Sequence, residues 1–478
     1  MKKAYNKHLQ VFFIVSLLIQ SVYGQTYFEK TYQSSPFDQE AQDVLPTSDG
    51  GYLLAGYTTN LTINDCDVYI IKTDAAGNIA WTQTYGGNKP DFPYHMLATN
   101  DGNYFLVGYS QSYGGGDYDI LLLKIDPSGG LIWTKTYGAN GNDIGMDVIP
   151  TSDGNYMIVG SSNSPALADQ NANLIKIDPS GTVIWSKLYG GSSNDYGACV
   201  KQTNDGGFIM LGTTYSYNAP GGDAYLVKLN SDGDTTWTKR FGGAYYDEGV
   251  YITTGNDGGL TFVVRDSSTA GKDVDIRVIK TDASGNVIWN KTYGGNQKDT
   301  PKMIQPTMDG GYIIGAISRS FGWIAPDMWI LKLDASGDTT WTRNYGGSQN
   351  EHCYVARELQ DGSYIACGKT ASAGPDFDPI FVKLNQNGTL TVSAPQMAFR
   401  SSFKLYPNPS SDGSIRIESG NRELNDIEVT NYLGEKIAIS LKQESSVTTV
   451  ALKDQKPGIY FIKAESQQEI ITAKFIIN

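Results

Sequence analysis

The stretch YFLVGYSQSYGGGDYDILLLKIDPSGGLIW, residues 104–133, decides the fold. Two apolar runs, Tyr104-Phe105-Leu106-Val107-Gly108 and Ile120-Leu121-Leu122-Leu123-Lys124, flank a polar, glycine-rich loop. The turn Asp126-Pro127-Ser128-Gly129 then leads into Leu131-Ile132-Trp133. Upstream, Met96-Leu97-Ala98-Thr99 enters the turn Asn100-Asp101-Gly102-Asn103. These are four short strands, joined at turns where Gly supplies positive φ and Asp accepts local backbone hydrogen bonds. No stretch places apolar residues at helical spacing over two turns, so the chain is all-β.

The unit recurs. Trp81, Trp133, Trp185, Trp237, Trp289 and Trp341 are each 52 residues apart. The Asp-Gly pairs at Asp49, Asp101, Asp153, Asp205, Asp257, Asp309 and Asp361 keep that interval, and so do Lys72, Lys124, Lys176, Lys228, Lys280 and Lys332, with Lys383 one residue early. Seven copies of a four-stranded unit at this period describe a seven-bladed β-propeller. A right-handed β-solenoid is the weaker rival, since solenoid coils are usually about half this length.

The ends of the array predict how the ring closes. Tyr27-Phe28-Glu29-Lys30-Thr31-Tyr32 resembles Trp81-Thr82-Gln83-Thr84-Tyr85, an outermost strand without its unit, while the last unit has Ser393 where its Trp is expected. The N-terminal strand is expected to complete the seventh blade and remove an exposed edge. Residues 387–393 are the competing candidate.

Composition excludes several classes. The 478 residues carry 37 Lys plus Arg against 50 Asp plus Glu, a formal charge of -13 that opposes nucleic-acid binding. Four cysteines and no CxxC exclude a disulfide framework, a zinc ribbon and thioredoxin-like chemistry. Cys353 and Cys367 lie on neighbouring strands of the seventh copy, where export permits a bridge if register opposes them. Lys2, Lys3 and Lys7, the apolar run 11–19 (VFFIVSLLI) and Val22-Tyr23-Gly24 form a signal peptide over residues 1–24. That run is too short to span a bilayer, so no transmembrane segment is expected in the mature chain. Removing it takes the formal charge to -16, and the tail from Arg400 is balanced at 10 basic and 10 acidic residues. The excess negative charge therefore belongs to the repeats.

Most repeated residues read as structure. The turn before Trp341, beginning Asp334-Ala335-Ser336-Gly337, is similar to the Asp box of sialidase propellers, but its spacing departs from the box and implies no sialidase activity. One acid follows each Tyr-Gly-Gly-like segment: Asp38, Asp91, Asp143, Asp195, Asp247, Asp299 and Glu351. These seven could ring one channel mouth and favour a cation, calcium included, or sugar hydroxyls. Alternatively each accepts hydrogen bonds from its own glycine turn. A second series, Asp67, Asp119, Asp223, Asp275, Asp327 and Asp378, with Asn171 once, reads as strand-entry caps.

Function in a repeat protein enters where repetition fails. The loops between second and third strands vary, and Tyr113, Tyr215, Tyr217, Phe321 and Trp323 lie there, off the repeat. Flat rings beside hydroxyls and amides suit sugar faces or a protein partner, or they fold back onto the blade. Catalysis has little support: only His95 and His352 remain after signal removal, and GxSxG and HExxH are absent. Asp247, Glu248 and Glu351 are the carboxyls a glycoside hydrolase or lyase would use. No metal cluster and no cofactor are expected.

The tail is a separate unit. Leu405-Tyr406-Pro407-Asn408-Pro409, Gly413, Ile427-Glu428-Val429, Tyr432-Leu433-Gly434, Lys456-Pro457-Gly458-Ile459-Tyr460-Phe461 and Lys474-Phe475-Ile476-Ile477 resemble the type A C-terminal sorting domain of type IX secretion. Its short alternating strands fit a small Ig-like β-sandwich. The resemblance implies recognition by the type IX secretion machinery through Pro407, Asn408, Pro409, Gly434, Gly458, Tyr460 and Lys474. It also implies release or attachment at the outer cell surface. The repeats, as in Trp289-Asn290-Lys291-Thr292-Tyr293-Gly294-Gly295, look like arrays that often precede this domain.

The expected organisation is signal 1–24, propeller 25–393, linker 394–402 and sorting domain 403–478. The expected role is a secreted or surface binding module for glycan or protein, with a hydrolase or a structural surface component as alternatives.

Overall fold

The computed structural model describes residues 27–390, apart from 34–37, 61–64, 116, 164–168, 220, 268–273, 322–324, 373 and 375. In the tail it describes 404–477, apart from 408–409, 411–412, 419–423, 432–435, 445–446, 454–455 and 466–469. The expected signal peptide and linker lie outside the described residues. The chain separates into two compact units, Met1–Val392 and Ser393–Asn478.

Among the described residues the first unit holds seven four-stranded sheets and no helix. Asp91–Ala98, Tyr104–Ser110, Asp119–Ile125 and Leu131–Tyr137 form one of them, each strand antiparallel to the next. The second and third strands are buried along nearly their whole length, because both faces meet neighbouring sheets. The fold is an all-β propeller. Its last sheet uses both chain ends: Phe28–Thr31 pairs antiparallel with Asp378–Leu384, Phe28 opposite Lys383 and Thr31 opposite Ile380. Residues 385–389 of the seventh copy make the same turn as the other copies, Asn385 N–H donating to the Thr389 carbonyl and Gly388 N–H to Asn385, and residues 391–393 of the competing segment lie outside the described residues.

One contact repeats from sheet to sheet. The outer-strand Trp lies over the glycine of the next sheet's second hairpin, so a Cβ on Gly129 would sit 2.9 Å from the Trp81 ring. Four residues after the Trp, a Tyr hydroxyl donates to that glycine's carbonyl: Tyr85 to Gly129 at 2.6 Å, Tyr137 to Gly181 at 2.8 Å, Tyr189 to Gly233 at 2.7 Å and Tyr345 to Gly388 at 2.9 Å. Only glycine suits these turns, because φ is positive (84° at Gly129) and the indole leaves no room for a side chain. The N-terminal strand reproduces the clamp. Phe28 lies over Gly77, and Tyr32 donates to the Gly77 carbonyl at 2.9 Å.

The Lys and Asp-Gly series also meet. Lys72 reaches Asp49 at 2.8 Å, Lys124 Asp101 at 2.6 Å, Lys176 Asp153 at 2.6 Å, Lys228 Asp205 at 2.8 Å and Lys332 Asp309 at 2.7 Å. Each lysine leaves the third strand with its stem buried and its ammonium at the turn of the first hairpin. Hydrogen bonds from Lys228 and Thr203 pull Asp205 down to about 2.

In the second unit, one sheet orders Lys404–Tyr406, Ser414–Glu418, Val447–Leu452 and Ile439–Glu444, and another Asn425–Asn431, Gly458–Glu465 and Ile470–Ile477. Ile415, Ile417, Val429, Val450, Tyr460 and Phe475 are core residues of this unit. Tyr460 stacks on Phe475 at 5.7 Å.

Cys353 faces Gly368, while Cys367 faces Val355, so register keeps the two thiols from opposing one another. Both are free and buried, and the bridge left open by the sequence does not form.

Phe28→Ala is expected to cost about 3 kcal/mol by removing a buried ring from the closing clamp. Differential scanning calorimetry should show a clear fall in melting temperature, larger still on deleting residues 27–32. A melt unchanged by the deletion would rule out closure by this strand.

Candidate functional site

The acids that follow the Tyr-Gly-Gly segments open the innermost strands, but they do not ring an open mouth. Asp91, Asp143, Asp195, Asp247, Asp299 and Glu351 are each no more than 1% exposed. Each accepts a hydrogen bond from the turn amide four residues earlier: Gly87 to Asp91 at 3.0 Å, Ala139 to Asp143 at 3.1 Å, Gly191 to Asp195 at 2.8 Å, Gly243 to Asp247 at 2.9 Å, Gly295 to Asp299 at 2.9 Å and Gly347 to Glu351 at 2.9 Å. Asp38 accepts from the Phe377 amide at 2.8 Å, across the ring closure. The structure thus places them as turn caps inside the protein.

The second acid series converges on the same turns. A Cβ on Gly86 would lie 1.6 Å from Asp67 Oδ1 and 3.0 Å from Asp91 Oδ2, and Gly138 sits equally between Asp119 and Asp143. Pairs of carboxylates crowded in low dielectric resist ionisation. Burial, then the charges of Asp65 and Asp91, pushes Asp67 up to about 6. Burial, then the hydrogen bond with Asp266, pushes Asp247 up to about 7.

The loop aromatics divide. Tyr113 and Tyr217 keep partly exposed rings, yet their hydroxyls donate to the Gly86 and Gly190 carbonyls, both at 2.6 Å, tying each loop to the neighbouring glycine turn. Tyr215 stands between Tyr196 (6.4 Å) and Tyr246 (6.3 Å). Phe321 is exposed along one side and packs on Trp329 at 5.0 Å. Trp323 lies outside the described residues. Of the sorting-signal residues, Pro407 is exposed, Gly458 opens a strand opposite Ile477, Tyr460 is buried with its hydroxyl donating to the Lys456 carbonyl at 2.8 Å, and Lys474 lies opposite Phe461. Asn408, Pro409 and Gly434 lie outside the described residues.

The feature missed in the sequence is the lining of the axial channel. Every innermost strand carries a β-bulge, at Ala41/Asp43, Pro93/His95, Gly145/Asp147, Gly197/Cys199, Gly249/Tyr251, Pro301/Met303 and Cys353/Val355. The residue inside each bulge lines a cavity of about 210 Å³: Gln42, Tyr94, Met146, Ala198, Val250, Lys302 and Tyr354. They are 52 residues apart and chemically unalike. That unlikeness, against the fixed Trp, Lys and Asp-Gly series, is the signal that could have found the site.

One flank of the channel is a buried ion network. Arg357 donates to Asp43 at 2.7 Å, His95 lies 3.6 Å from Asp43 and 2.9 Å from Asp147, and Lys201 donates to Asp147 at 3.0 Å. Burial alone would raise Asp147, but Lys201 and His95 hold it well below the carboxylate range. Burial pushes the Cys199 thiol up to about 12, and that thiol donates to Asp147 at 3.2 Å. A thiol facing a carboxylate anion is not an activated nucleophile.

Around the cavity, Glu40 accepts from Lys369 at 2.6 Å, Tyr354 at 2.7 Å and Gln42 at 3.2 Å, and Glu248 pairs with Arg265 at 3.3 Å. Burial, then the charges of Lys369, Lys302 and Arg319, lowers His352 to about 3, so it is neutral at pH 7. Beside Tyr94 lies an aromatic cluster: Phe92 is 4.3 Å from Tyr57, 4.9 Å from Tyr94 and stacked on Tyr109 at 5.5 Å. Of the three carboxyls a hydrolase would need, Asp247 and Glu351 are interior caps and only Glu248 lines the cavity.

The profile of the Secretion system C-terminal sorting domain family matches residues 404–478. Regulatory protein FlaEY of Caulobacter vibrioides is 23% identical over 209 residues, covering 36% of this chain. The matched region spans 22% of that relative's length. Among solved structures, the Neurospora crassa Pan2 WD40 domain is similar at 10% identity and a TM-score of 0.45, over 72% of this chain and 88% of that one. The β-propeller domain of the Trilobed protease from Pyrococcus furiosus is similar at 10% identity and 0.44, over 76% and 99%.

Asp247 supplies a pH test. Its folded pKa lies above the unfolded value, so its stabilising contribution is present below about pH 4 and is lost as pH rises towards 7. Asp247→Asn removes the charge and keeps an acceptor for Gly243. Its melting temperature should pull ahead of wild type progressively between about pH 4 and 7 and then hold level. A gap independent of pH would count against the buried charge.

Proposed function

We propose that the chain is an exported binding module, in which the sorting domain directs secretion or surface attachment and the propeller holds a glycan or protein ligand. The sorting-domain match supports the first half and implies handling by the type IX secretion machinery. In this scheme residues 1–24 are the export signal, 25–393 the binding propeller and 394–402 a linker to the sorting unit. For the second half, the carrying observation is the channel. A framework whose Trp, Tyr, Lys, Asp and Gly recur at a fixed interval carries six different residue types, Tyr twice, at one position of its seven copies, and all seven side chains border one cavity. Structural repetition needs no such variety, and concave sites with mixed aromatic and polar walls are where small ligands bind. Tyr94, Tyr354 and Gln42 offer ring faces and amide or hydroxyl groups, a set suited to sugars.

The test is a glycan array probed with the mature chain, with and without calcium. Tyr94→Ala is expected to weaken binding at least about tenfold. Loss on Tyr215→Ala or Trp323→Ala with Tyr94→Ala intact would move the site to the loops. Release of reducing sugar would establish a hydrolase, and silence towards glycans and proteins would leave a structural surface role.

A further inference from the structure

We infer that the axial cavity receives a carboxylate, carried on the terminal residue of an acidic sugar chain, with the Lys302 ammonium as its counter-ion. This inference rests on the binding function proposed above and specifies its ligand.

Among the described residues lining the cavity, Lys302 is the one Lys or Arg. Apart from Arg319, which does not line the cavity, the cations nearby are already engaged: Lys369 with Glu40, Arg265 with Glu248, Lys201 with Asp147 and Arg357 with Asp43. Among the described residues, no carboxylate lies within ion-pair distance of Lys302. Its recorded contact is with the ring of Tyr354, 5.4 Å from the ammonium to the centroid. Burial lowers its pKa, against the opposing pull of Glu248. An ammonium partly stripped of water and left without an anion is poised to gain from one, because the desolvation cost is already met in the free protein.

The surroundings select the kind of anion. Phosphate and sulfate are best gripped by forked guanidinium groups, and the Arg265 and Arg357 guanidiniums are each held by a carboxylate. A single ammonium beside Tyr354, in a cavity that Tyr94 also lines, matches one monoanionic group with a flat or ring-shaped body. Tyr94, backed by Phe92 and Tyr109, is the wall on which that body stacks. The volume, about 210 Å³, is room for one sugar residue, which a chain end supplies. The positive set of Lys302, Lys369, Arg319 and Arg265 outnumbers Glu40 and Glu248, in a protein whose formal charge is -13.

The experiment is isothermal titration of the mature full chain with glucuronate-terminated oligosaccharides and with neutral oligosaccharides of equal length. Wild type is expected to favour the acidic set by at least about tenfold, with the preference shrinking between about 50 and 300 mM salt. Lys302→Met should erase the preference while retaining weak binding of both sets. Lys302→Gln, which keeps a polar head, should behave likewise, and a melting temperature near wild type in either variant excludes misfolding. Equal affinity for acidic and neutral sugars in wild type, or an acidic preference that survives Lys302→Met, would overturn the inference and leave glycan binding standing. Preference for sulfated or phosphorylated chain ends would also overturn it. Binding of no sugar at all would remove glycan binding together with it.

Discussion

Each outer strand holds the next sheet by one compound contact, an aromatic ring over a glycine and, in most copies, a hydroxyl on that glycine's carbonyl. Burying the ring supplies the larger share, on the order of a few kcal/mol. The hydrogen bond adds about 1 kcal/mol and, being directional, fixes how far each sheet is turned from its neighbour. Because the glycine belongs to the following copy and the ring to the preceding one, no copy is complete alone. Closure follows from the same rule: Phe28 and Tyr32 supply the ring and hydroxyl that the seventh sheet lacks. At Phe241 the hydroxyl is missing, and ring burial carries that junction, with Phe241 against Phe262 at 5.0 Å.

That periphery frees the axis. The inner strands contribute little to the clamp, and each carries a bulge that turns one side chain towards the centre. Substitution at the bulge changes neither the ring-glycine contact nor the Lys–Asp bridges, so chemistry at the axis varies without disturbing assembly. The buried ions at Asp43, His95, Asp147, Lys201 and Arg357 show how far this goes. Five charged or titratable groups from five sheets pair with one another beside the channel. Removing any one strands its partner in low dielectric, so the network is more sensitive to single substitutions than an apolar filling would be.

Much of the fold was legible because the decisive contacts join residues at a constant separation. Trp81 and Gly129 are related as Trp341 and Gly388 are, apart from the one-residue shortening of the last copy, and the eye finds such series without knowing what they touch. The closing strand was legible for the same reason, since Phe28 and Tyr32 keep the spacing of Trp81 and Tyr85. Burial was not. An acid after a glycine turn reads alike whether it faces water or caps the turn, and only the neighbouring sheet decides. Asp91 and Asp143 proved interior, and the hydroxyls of Tyr113 and Tyr217 proved occupied. The Cys353 and Cys367 register was equally hidden, because a bulge shifts pairing by one residue and leaves no composition signal.

The bulges explain why the cavity escaped notice. In a regular strand, sides alternate, and a residue's side follows from counting. A bulge breaks the count, so Lys302 and Met303 both reach the channel although adjacent residues should oppose each other. Strand periodicity therefore misassigns the position that the bulge turns to the channel. Read down the repeat instead of along the strand, the same position carries a charge, an amide, two phenols, a thioether and two small aliphatics, against Trp, Lys and Asp-Gly columns that hold nearly constant. In a closed repeat the constant columns describe what every sheet must do for its neighbour, and the columns free of that duty, those at the axis among them, are the ones that vary.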